Sequence, residues 1–268
     1  QAVTGLELEE AAAILTLSEG RQISASLVIA ADGADSPTRT LAGIETQGWG
    51  YAQHALVTHI GTELPHADTA RQRFLETGPI ALLPLADGRS SIVWSTTPEQ
   101  AEAMREVDAD DFARAVEQAT DHVLGAVTAA APRASFPLRL LHAQEYTRAR
   151  LVLIGDAAHA VHPLAGLGVN LGFLDAAALT ETLADARAAS AELGDHRVLS
   201  RYERWRKSEN LAAMGLLDGI NRLFANANPA LAGLRRFGLG AVDRLGPVKN
   251  FFIRRALGTA GELPRLAR

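Results

Sequence analysis

Cysteine is absent from the 268 residues of the chain. This absence excludes disulfide bonds, thiolate metal sites and a cysteine nucleophile, and it is typical of a reducing compartment such as the cytoplasm. The spacing Gly-x-Ser-x-Gly is absent too, which leaves a hydrolase of that type without support. Long apolar runs are also missing, since none approaches the roughly 18 residues that a membrane span requires. We therefore expect a globular cytoplasmic protein.

Charge is distributed unevenly along the chain. The net charge is −5, but residues 229–268 contain eight Lys or Arg against two acidic residues. A solvated helix face is the ordinary explanation of this basic C-terminal region, and peripheral contact with an anionic membrane or a multiprotein complex is the alternative. Nucleic acid is a weaker candidate, because the protein is acidic overall and has few aromatic residues. The sequence leaves an oligomer open.

Residues 151–183 combine a short apolar run, a glycine-rich loop and a long apolar pattern. The run Leu151–Ile154 is too short for a helix and is typical of a strand that is buried on both faces. Gly155 and Asp156 therefore follow the carboxyl end of a strand, where open α/β sheets bind their ligands. This position favours a ligand that contains a ribose or ribitol and a phosphate.

The loop after this strand contains Pro163, Gly166 and Gly168. Glycines allow backbone amides to approach a ligand closely. The pattern predicts a helix from about Asn170, which directs the positive end of its dipole toward a phosphate. The loop and the helix together predict an anion site.

Asp156, His159 and His162 lie three residues apart and could instead hold a metal ion, because both residue types are common ligands. Pro163 breaks any helix that would carry them on one face, and no further ligand is evident nearby. We therefore expect no metal site.

A second strand end carries similar chemistry. Residues 22–31 change from alternation to a solid apolar run and end in Asp32 and Gly33, followed by Ser36 and Arg39. The Asp-Gly pair could face a ligand, and the arginine could neutralise an anion. The alternative is a turn with a surface arginine.

The remaining segments predict a sheet and several helices. Residues 98–130 have a helical pattern that opens at Pro98 and continues through residues 109–130, and residues 197–226 and 231–257 have further helical patterns. The predicted strands are residues 6–9, 13–17, 22–31, 51–60, 69–75, 80–84, 90–95 and 136–140, with Asp87-Gly88 as a hairpin turn. The predicted apolar stripe of the helix at 197–226 is Trp205, Ala212, Leu216, Ile220 and Phe224.

The two strand-end motifs resemble those of the flavin-dependent aromatic hydroxylases of the para-hydroxybenzoate hydroxylase type. Residues 32–39 match the family's Asp-Gly, two residues, Ser, two residues, Arg. Residues 155–159, Pro163 and residues 166–170 match its Gly-Asp-Ala-Ala-His, Pro and Gly-x-Gly-x-Asn. The C-terminal region is similar to the hydroxylases of ubiquinone biosynthesis in particular, so the resemblance covers nearly the whole chain.

The resemblance implies an α/β fold, in which an antiparallel-sheet α+β substrate domain is inserted into a Rossmann-like FAD-binding domain of the GR2 type. We place the FAD-binding domain at residues 1–46 and 141–196, the substrate domain at 47–140 and a C-terminal helical region at 197–268. The FAD-binding domain is expected to be incomplete, because the family's opening Gly-x-Gly-x-x-Gly motif is missing here.

The resemblance also assigns roles to residues. Asp156 would bind the ribityl chain of FAD, and Pro163 would lie against the flavin ring near the reacting carbon. Asp32 and Arg39 would serve an FAD phosphate or a passing nicotinamide, while Leu167 stands where the family often has Gln. The residues expected to bind the cofactor are Asp32, Gly33, Arg39, Gly155, Asp156, Pro163, Gly166, Leu167, Gly168, Val169 and Asn170.

The function implied is an FAD-dependent monooxygenase that uses NAD(P)H and oxygen to hydroxylate a polyprenylated phenol or quinol in ubiquinone biosynthesis. A non-catalytic assembly subunit of the same fold is one alternative, and the missing glycine motif favours it. A related flavin-dependent reductase or halogenase is another. We expect the 268 residues alone to hold FAD weakly, since half of the cofactor cradle is missing.

Overall fold

The computed structural model describes residues 1–162, 168–224, 246–247, 250 and 261–268, without the side chains of residues 220–224. Three predicted site residues, Pro163, Gly166 and Leu167, lie outside the described residues, as does nearly all of the predicted helical pattern at 231–257.

The described chain forms two compact units. The first combines Gln1–Trp49 with Arg139–Gly219 and residues 261–268, and the second contains Gly50–Leu138. The strands are β1 (Val3–Leu8), β2 (Ala13–Leu17), β3 (Gln22–Ala25), β4 (Val28–Ala30), β5 (Thr46–Thr62), β6 (Arg71–Leu75), β7 (Gly78–Pro84), β8 (Ser90–Thr96), β9 (Val127–Ala130), β10 (Ala134–Ala143), β11 (Thr147–Arg148), β12 (Leu151–Leu153) and β13 (His159–Ala160). The helices are α1 (Pro37–Leu41), α2 (Pro98–Glu106), α3 (Ala109–Ala119), α4 (Gly168–Ala188) and α5 (His196–Phe224).

The first unit contains two small sheets. In one, β1, β2 and β3 form an antiparallel meander. In the other, β12 lies between β11 and β4 and runs parallel to β4, with Leu151 opposite Val28 and Leu153 opposite Ala30. All three residues of β12 are fully buried, as its solid apolar run predicts.

The single strand predicted at residues 22–31 is wrong, because two strands occupy this segment. β3 pairs with β2, whereas β4 pairs with β12, so the chain leaves one sheet and enters the other at Ser26 and Leu27. The change from alternation to a solid apolar run marks this transfer, since β4 lies in the more buried sheet.

The predicted apolar stripe of α5 is also wrong. Ala212 is exposed and Leu216 is half-buried, and the side chains of Ile220 and Phe224 lie outside the described part of the structure. The buried stripe instead consists of Val198, Leu199, Tyr202, Arg206, Asn210, Ala213, Met214 and Leu217. Two polar residues belong to this stripe because they pair with a buried carboxylate in α4.

The second unit packs two helices on an antiparallel sheet. β8 lies between β5 and β7, β6 pairs with β7, and β9 pairs with β5, so the four predicted strands of this sheet are confirmed. Its apolar core consists of Leu56, Ile60, Ile80, Leu82, Ile92, Trp94, Phe112, Val116, Ala119 and Leu124.

The predicted helical continuation to Ala130 is wrong, because α3 ends at Ala119. Asp121, His122 and Gly125 all have positive φ, which a helix does not permit, and the chain then enters β9. Among the described helices, none is long and apolar enough to cross a membrane.

Candidate cofactor site

The two strand-end motifs meet at one edge of the first unit. Because β4 and β12 are parallel neighbours, their carboxyl ends lie side by side and bring Gly33 next to Gly155 and Asp156. A cavity of about 750 Å³ opens at this edge. Its lining consists of Ala31, Gly33, Ile154, Gly155, Asp156, Val161, Gly168, Val169, Gly172, Phe173 and Ala176.

Two glycines form a close contact in the cavity wall. Gly155 begins a single 3-10 turn with φ of +57°, a conformation that L side chains rarely adopt. Gly172 of α4 packs directly on it, since a Cβ atom at Gly172 would lie 3.3 Å from the Cα atom of Gly155. The contact lets α4 approach the strand end and places its first turns along the cavity.

The carboxylate of Asp156 is exposed at the cavity, directly after Gly155. No hydrogen bond to it is formed by the part of the chain that the structure describes. An exposed carboxylate at a strand end can accept hydrogen bonds from the hydroxyl groups of a sugar or ribitol chain. Asp156 therefore suits its predicted role.

Helix α4 begins at Gly168, two residues before the predicted start at Asn170. Gly168 and Val169 line the cavity, so the amino end of a 21-residue helix faces it. Free amides and the helix dipole at such an end attract anions. Asn170 is exposed in the same first turn, outside the lining.

Asp32 stabilises its own turn. Its Oδ2 atom accepts a hydrogen bond from the Thr38 amide at 3.0 Å. Partial burial raises the pKa of Asp32, but hydrogen bonds from Ser36 and Thr38 outweigh burial and leave the pKa below its ordinary value. Asp32 is therefore ionised at neutral pH, and its predicted contact with a ligand stays a prediction.

Arg39 connects the two strand-end turns. Its Nη1 atom donates to the Ala157 carbonyl at 2.9 Å and its Nη2 atom to the Ala34 carbonyl at 2.8 Å, and the side chain is buried. Ser36 accepts from the Arg39 amide and so caps α1. Arg39 thus fixes the distance between the two turns, and its predicted contact with an anion stays a prediction.

The three residues weighed as metal ligands do not converge. Asp156 faces the cavity, whereas His159 is buried and its Nε2 atom lies 2.5 Å from Asp175 Oδ2. His162 is also buried, and burial lowers its pKa to about 4. Within the described ranges, no group of three His, Asp or Glu side chains is placed to hold a metal ion.

The cavity also contains residues that sequence reasoning missed. Gly172, Phe173 and Ala176 continue the face of α4 that begins at Gly168, at the spacing of successive helical turns. Phe173 is 68% exposed and Val169 is 62% exposed, so this face presents apolar surface to the cavity. The helical period counted from Gly168 could have found these residues.

The fold and this strand-end site are those of a nucleotide-binding α/β protein. A family model described as "FAD binding domain" matches residues 3–214. The chain belongs to this family, and the flavin-dependent hydroxylases predicted from its motifs are confirmed as its relatives.

Two relatives illustrate this membership. The chain is 40% identical over 256 residues to ubiquinone hydroxylase UbiL of Rhodospirillum rubrum, which covers 94% of the chain and 60% of the relative. It is 39% identical over 269 residues to the mitochondrial ubiquinone biosynthesis monooxygenase COQ6 of Xenopus tropicalis, which covers 88% of the chain and 58% of the relative. The chain thus spans about three fifths of the length of these relatives.

The fold is shared with a solved monooxygenase. The p-nitrophenol 4-monooxygenase PnpA of Pseudomonas putida superimposes with a TM-score of 0.77 at 20% identity, over 97% of this chain and 67% of that one. The predicted α/β class, with an FAD-binding domain and a sheet-rich domain, is confirmed.

Proposed function

We propose that the protein is an FAD-dependent monooxygenase that hydroxylates a polyprenylated phenol or quinol in ubiquinone biosynthesis, with NAD(P)H and oxygen as co-substrates. The observation that carries the proposal is the meeting of two strand-end turns and the amino end of α4 at one cavity, with the Asp156 carboxylate exposed in it. The names of the relatives UbiL and COQ6 support the pathway.

The residues present fit part of an FAD molecule. The exposed Asp156 carboxylate suits the ribityl hydroxyls, and the amino end of α4 at Gly168 suits a phosphate. The contact between Gly155 and Gly172 leaves backbone rather than side chains at the wall, which allows a planar group to approach. The cavity volume of about 750 Å³ lies in the range of small-molecule sites.

FAD held at this site would supply the activation of oxygen that ring hydroxylation requires. The protein's own residues position the cofactor and shield the cavity from water. Asp156 orients the ribityl chain, while Val161, Val169 and Phe173 provide apolar surface that excludes water from the cavity. Pro163 is proposed to lie against the reacting ring.

We propose a cytoplasmic protein that contacts the membrane or a multiprotein complex peripherally through its basic C-terminal region. Part of this region is held by the first unit. Arg265 pairs with Glu181 and Asp185 of α4, and Trp205 donates from Nε1 to the Glu262 carbonyl at 2.9 Å. These contacts tie residues 262 and 265 to the first unit.

The absorbance spectrum of the purified complete gene product tests the proposal directly. We expect a bound flavin spectrum, and oxygen consumption that depends on NAD(P)H and increases with a quinol precursor analogue.

Asp156→Ala should release FAD, because it removes the carboxylate that accepts hydrogen bonds from the ribityl chain. Asp35→Ala is a matched control, since Asp35 is exposed on the neighbouring turn and pairs with Arg139 outside the cavity.

A colourless protein that binds no added FAD would contradict the proposal and favour the non-catalytic assembly subunit. Flavin binding without stimulated oxygen consumption would instead favour a related flavoenzyme. Equal FAD affinity in Asp156→Ala and Asp35→Ala would remove Asp156 from the site while leaving the function intact.

A further inference from the structure

A cluster of buried polar side chains adjoins the candidate cofactor site. Its centre is Asp175 of α4, which is 0% exposed. His159, Arg206 and Asn210 surround it, and none of the three is more than 2% exposed. We call these four residues the Asp175 cluster. A buried carboxylate is costly unless it is paired and fully hydrogen-bonded, so its presence requires an explanation.

Every acceptor position of this carboxylate is used. Oδ2 of Asp175 accepts from the Gly155 amide at 3.0 Å and lies 2.5 Å from His159 Nε2. Oδ1 accepts from Arg206 Nε at 2.8 Å and from Asn210 Nδ2 at 3.1 Å. A carboxylate has about four lone-pair positions. Asp175 therefore ties the strand-end turn to α5 with no acceptor to spare.

Asp175 lies among groups that favour its charged form. Burial by itself raises the pKa of Asp175, but the hydrogen bond and charge of His159 and the charge and hydrogen bond of Arg206 outweigh burial and lower the pKa. Asp175 is thus ionised at neutral pH, with Arg206 as its counter-charge. An additional bond from Arg206 Nη2 to Asn210 Oδ1 at 2.9 Å keeps the donors in place.

Asp175 is connected to the cavity by its hydrogen bond with the backbone amide of Gly155. Gly155, whose amide it accepts, immediately precedes Asp156, and Gly172 of the same helix packs on Gly155. We propose that Asp175 is a positioning residue of the cofactor site, which holds the Gly155 amide and thereby fixes the direction in which the Asp156 carboxylate faces the cavity. This inference rests on the proposed function, since FAD is its readout.

The neutral isostere separates this role from simple packing. Asn has one carbonyl oxygen where Asp has two equivalent oxygens, so Asp175→Asn must direct an NH₂ group at one pair of donors in either orientation. If the NH₂ group takes the place of Oδ1, it lies against the donors of Arg206 and repels them. If the NH₂ group takes the place of Oδ2, the Gly155 amide has no acceptor and the turn that carries Asp156 is released.

FAD affinity of the complete gene product tests the inference. We expect Asp175→Asn to raise the FAD dissociation constant about tenfold, as the loss of one charge-assisted hydrogen bond would. Tyr202→Phe is the matched control. Its hydroxyl is fully buried and donates to the Leu153 carbonyl at 2.9 Å, so the variant loses a buried hydrogen bond without touching the turn. We expect it to be destabilised with its FAD affinity within about twofold of wild type.

A double-mutant cycle measures the coupling between Asp175 and Asp156 in FAD affinity, which a purely structural role of Asp175 would not produce. The residual FAD affinity of Asp156→Ala is measured by titration with excess FAD. In that background, Asp175→Asn should lower FAD affinity no further, although it should still lower the melting temperature. Additive losses of affinity, or equal affinities for Asp175→Asn and wild type, would overturn the inference. If the wild type binds no FAD, the proposed function has failed, which is a different result.

A milder variant covers the case in which Asp175→Asn does not fold. Asn210→Ala removes the donor at 3.1 Å and leaves the Gly155 bond in place, so FAD affinity should fall relative to wild type by less than about tenfold. Amide exchange at Gly155 should accelerate in Asn210→Ala and remain slow in Tyr202→Phe. Exchange that is fast already in the wild type would contradict the inference.

Discussion

The two units bury different kinds of side chain. Within the described ranges, every buried arginine and aspartate lies in the first unit, namely Arg39, Arg150, Asp175 and Arg206. The core of the second unit is formed by aliphatic and aromatic side chains on a regular antiparallel sheet. The first unit therefore contains the costly buried charge, and the second contains the simpler apolar core.

The buried arginines of the first unit form hydrogen bonds with backbone carbonyls of turns and not only ion pairs. Arg39 donates to the carbonyls of Ala34 and Ala157, and Arg150 donates to the carbonyls of Glu10 and Ser26. Buried ion pairs add little net stability, because desolvation offsets their attraction, but they can specify one conformation. The difference indicates that buried side chains in the first unit mainly fix the conformation of its turns, whereas those in the second unit mainly stabilise the fold.

The largest expected effect is in the second unit. Phe112→Ala removes a ring that is 0% exposed in the apolar core, and we expect a loss of about 3–5 kcal/mol in the free energy of unfolding. Phe136→Ala is the control, because Phe136 is 55% exposed on β10 and its loss should change stability by less than about 0.5 kcal/mol. Urea unfolding measures both. Similar losses would break the distinction between core and surface in this unit.

The next effect tests the shape of the strand-end turn. Gly172→Val places a branched side chain against the Cα atom of Gly155, so we expect a loss of roughly 1–3 kcal/mol together with weaker FAD binding. Thermal unfolding and FAD titration measure the two quantities.

Gly215→Ala serves as the comparison for this change. A Cβ atom at Gly215 of α5 meets nothing within 4 Å, so the variant should gain about 0.5–1 kcal/mol from helix propensity alone. A gain in Gly172→Val as well would show that the approach of α4 to Gly155 is not required.

A further effect concerns pH. Burial, with smaller contributions from Lys207 and His159, lowers the pKa of His142 to about 4. The unfolded chain binds this proton at the ordinary value near 6.5, so the stability from neutral His142 is complete above pH 6.5 and is lost as pH falls toward 4. The slope should reach at most about 1.4 kcal/mol per pH unit for this proton.

His142→Phe should therefore flatten the dependence of stability on pH between 6.5 and 5, measured by urea unfolding at several pH values. His196→Phe, at an exposed position of α5, is the control for introducing a phenyl ring in place of a histidine. Identical slopes in wild type and His142→Phe would contradict the role of burial.

Much of this architecture could be predicted from local patterns. Alternation identified the sheet of the second unit, and Asp87-Gly88 marked its hairpin because Gly88 adopts the positive φ that the turn requires. The apolar runs before Gly33 and Gly155 identified both strand ends of the site. These signals are local, so they need no knowledge of partners.

The features that were missed depend on partners far away in sequence. Arg206 and Asn210 belong to the buried stripe of α5 only because Asp175 lies opposite them, and a period counted over apolar residues cannot detect a polar member. The division at Ser26 likewise depends on β12, which pairs with β4 but not with β3. The roles of individual site residues toward a cofactor stay predictions.

The parallel pairing of β4 with β12 has a consequence for the order of folding. The two strands are separated in sequence by the whole of the second unit, whose antiparallel neighbours are mostly close along the chain. Contacts between distant segments form late, because the intervening chain must first be ordered. During synthesis, β4 therefore emerges long before its partner exists, and we expect the cofactor edge to be the last part of the protein to mature.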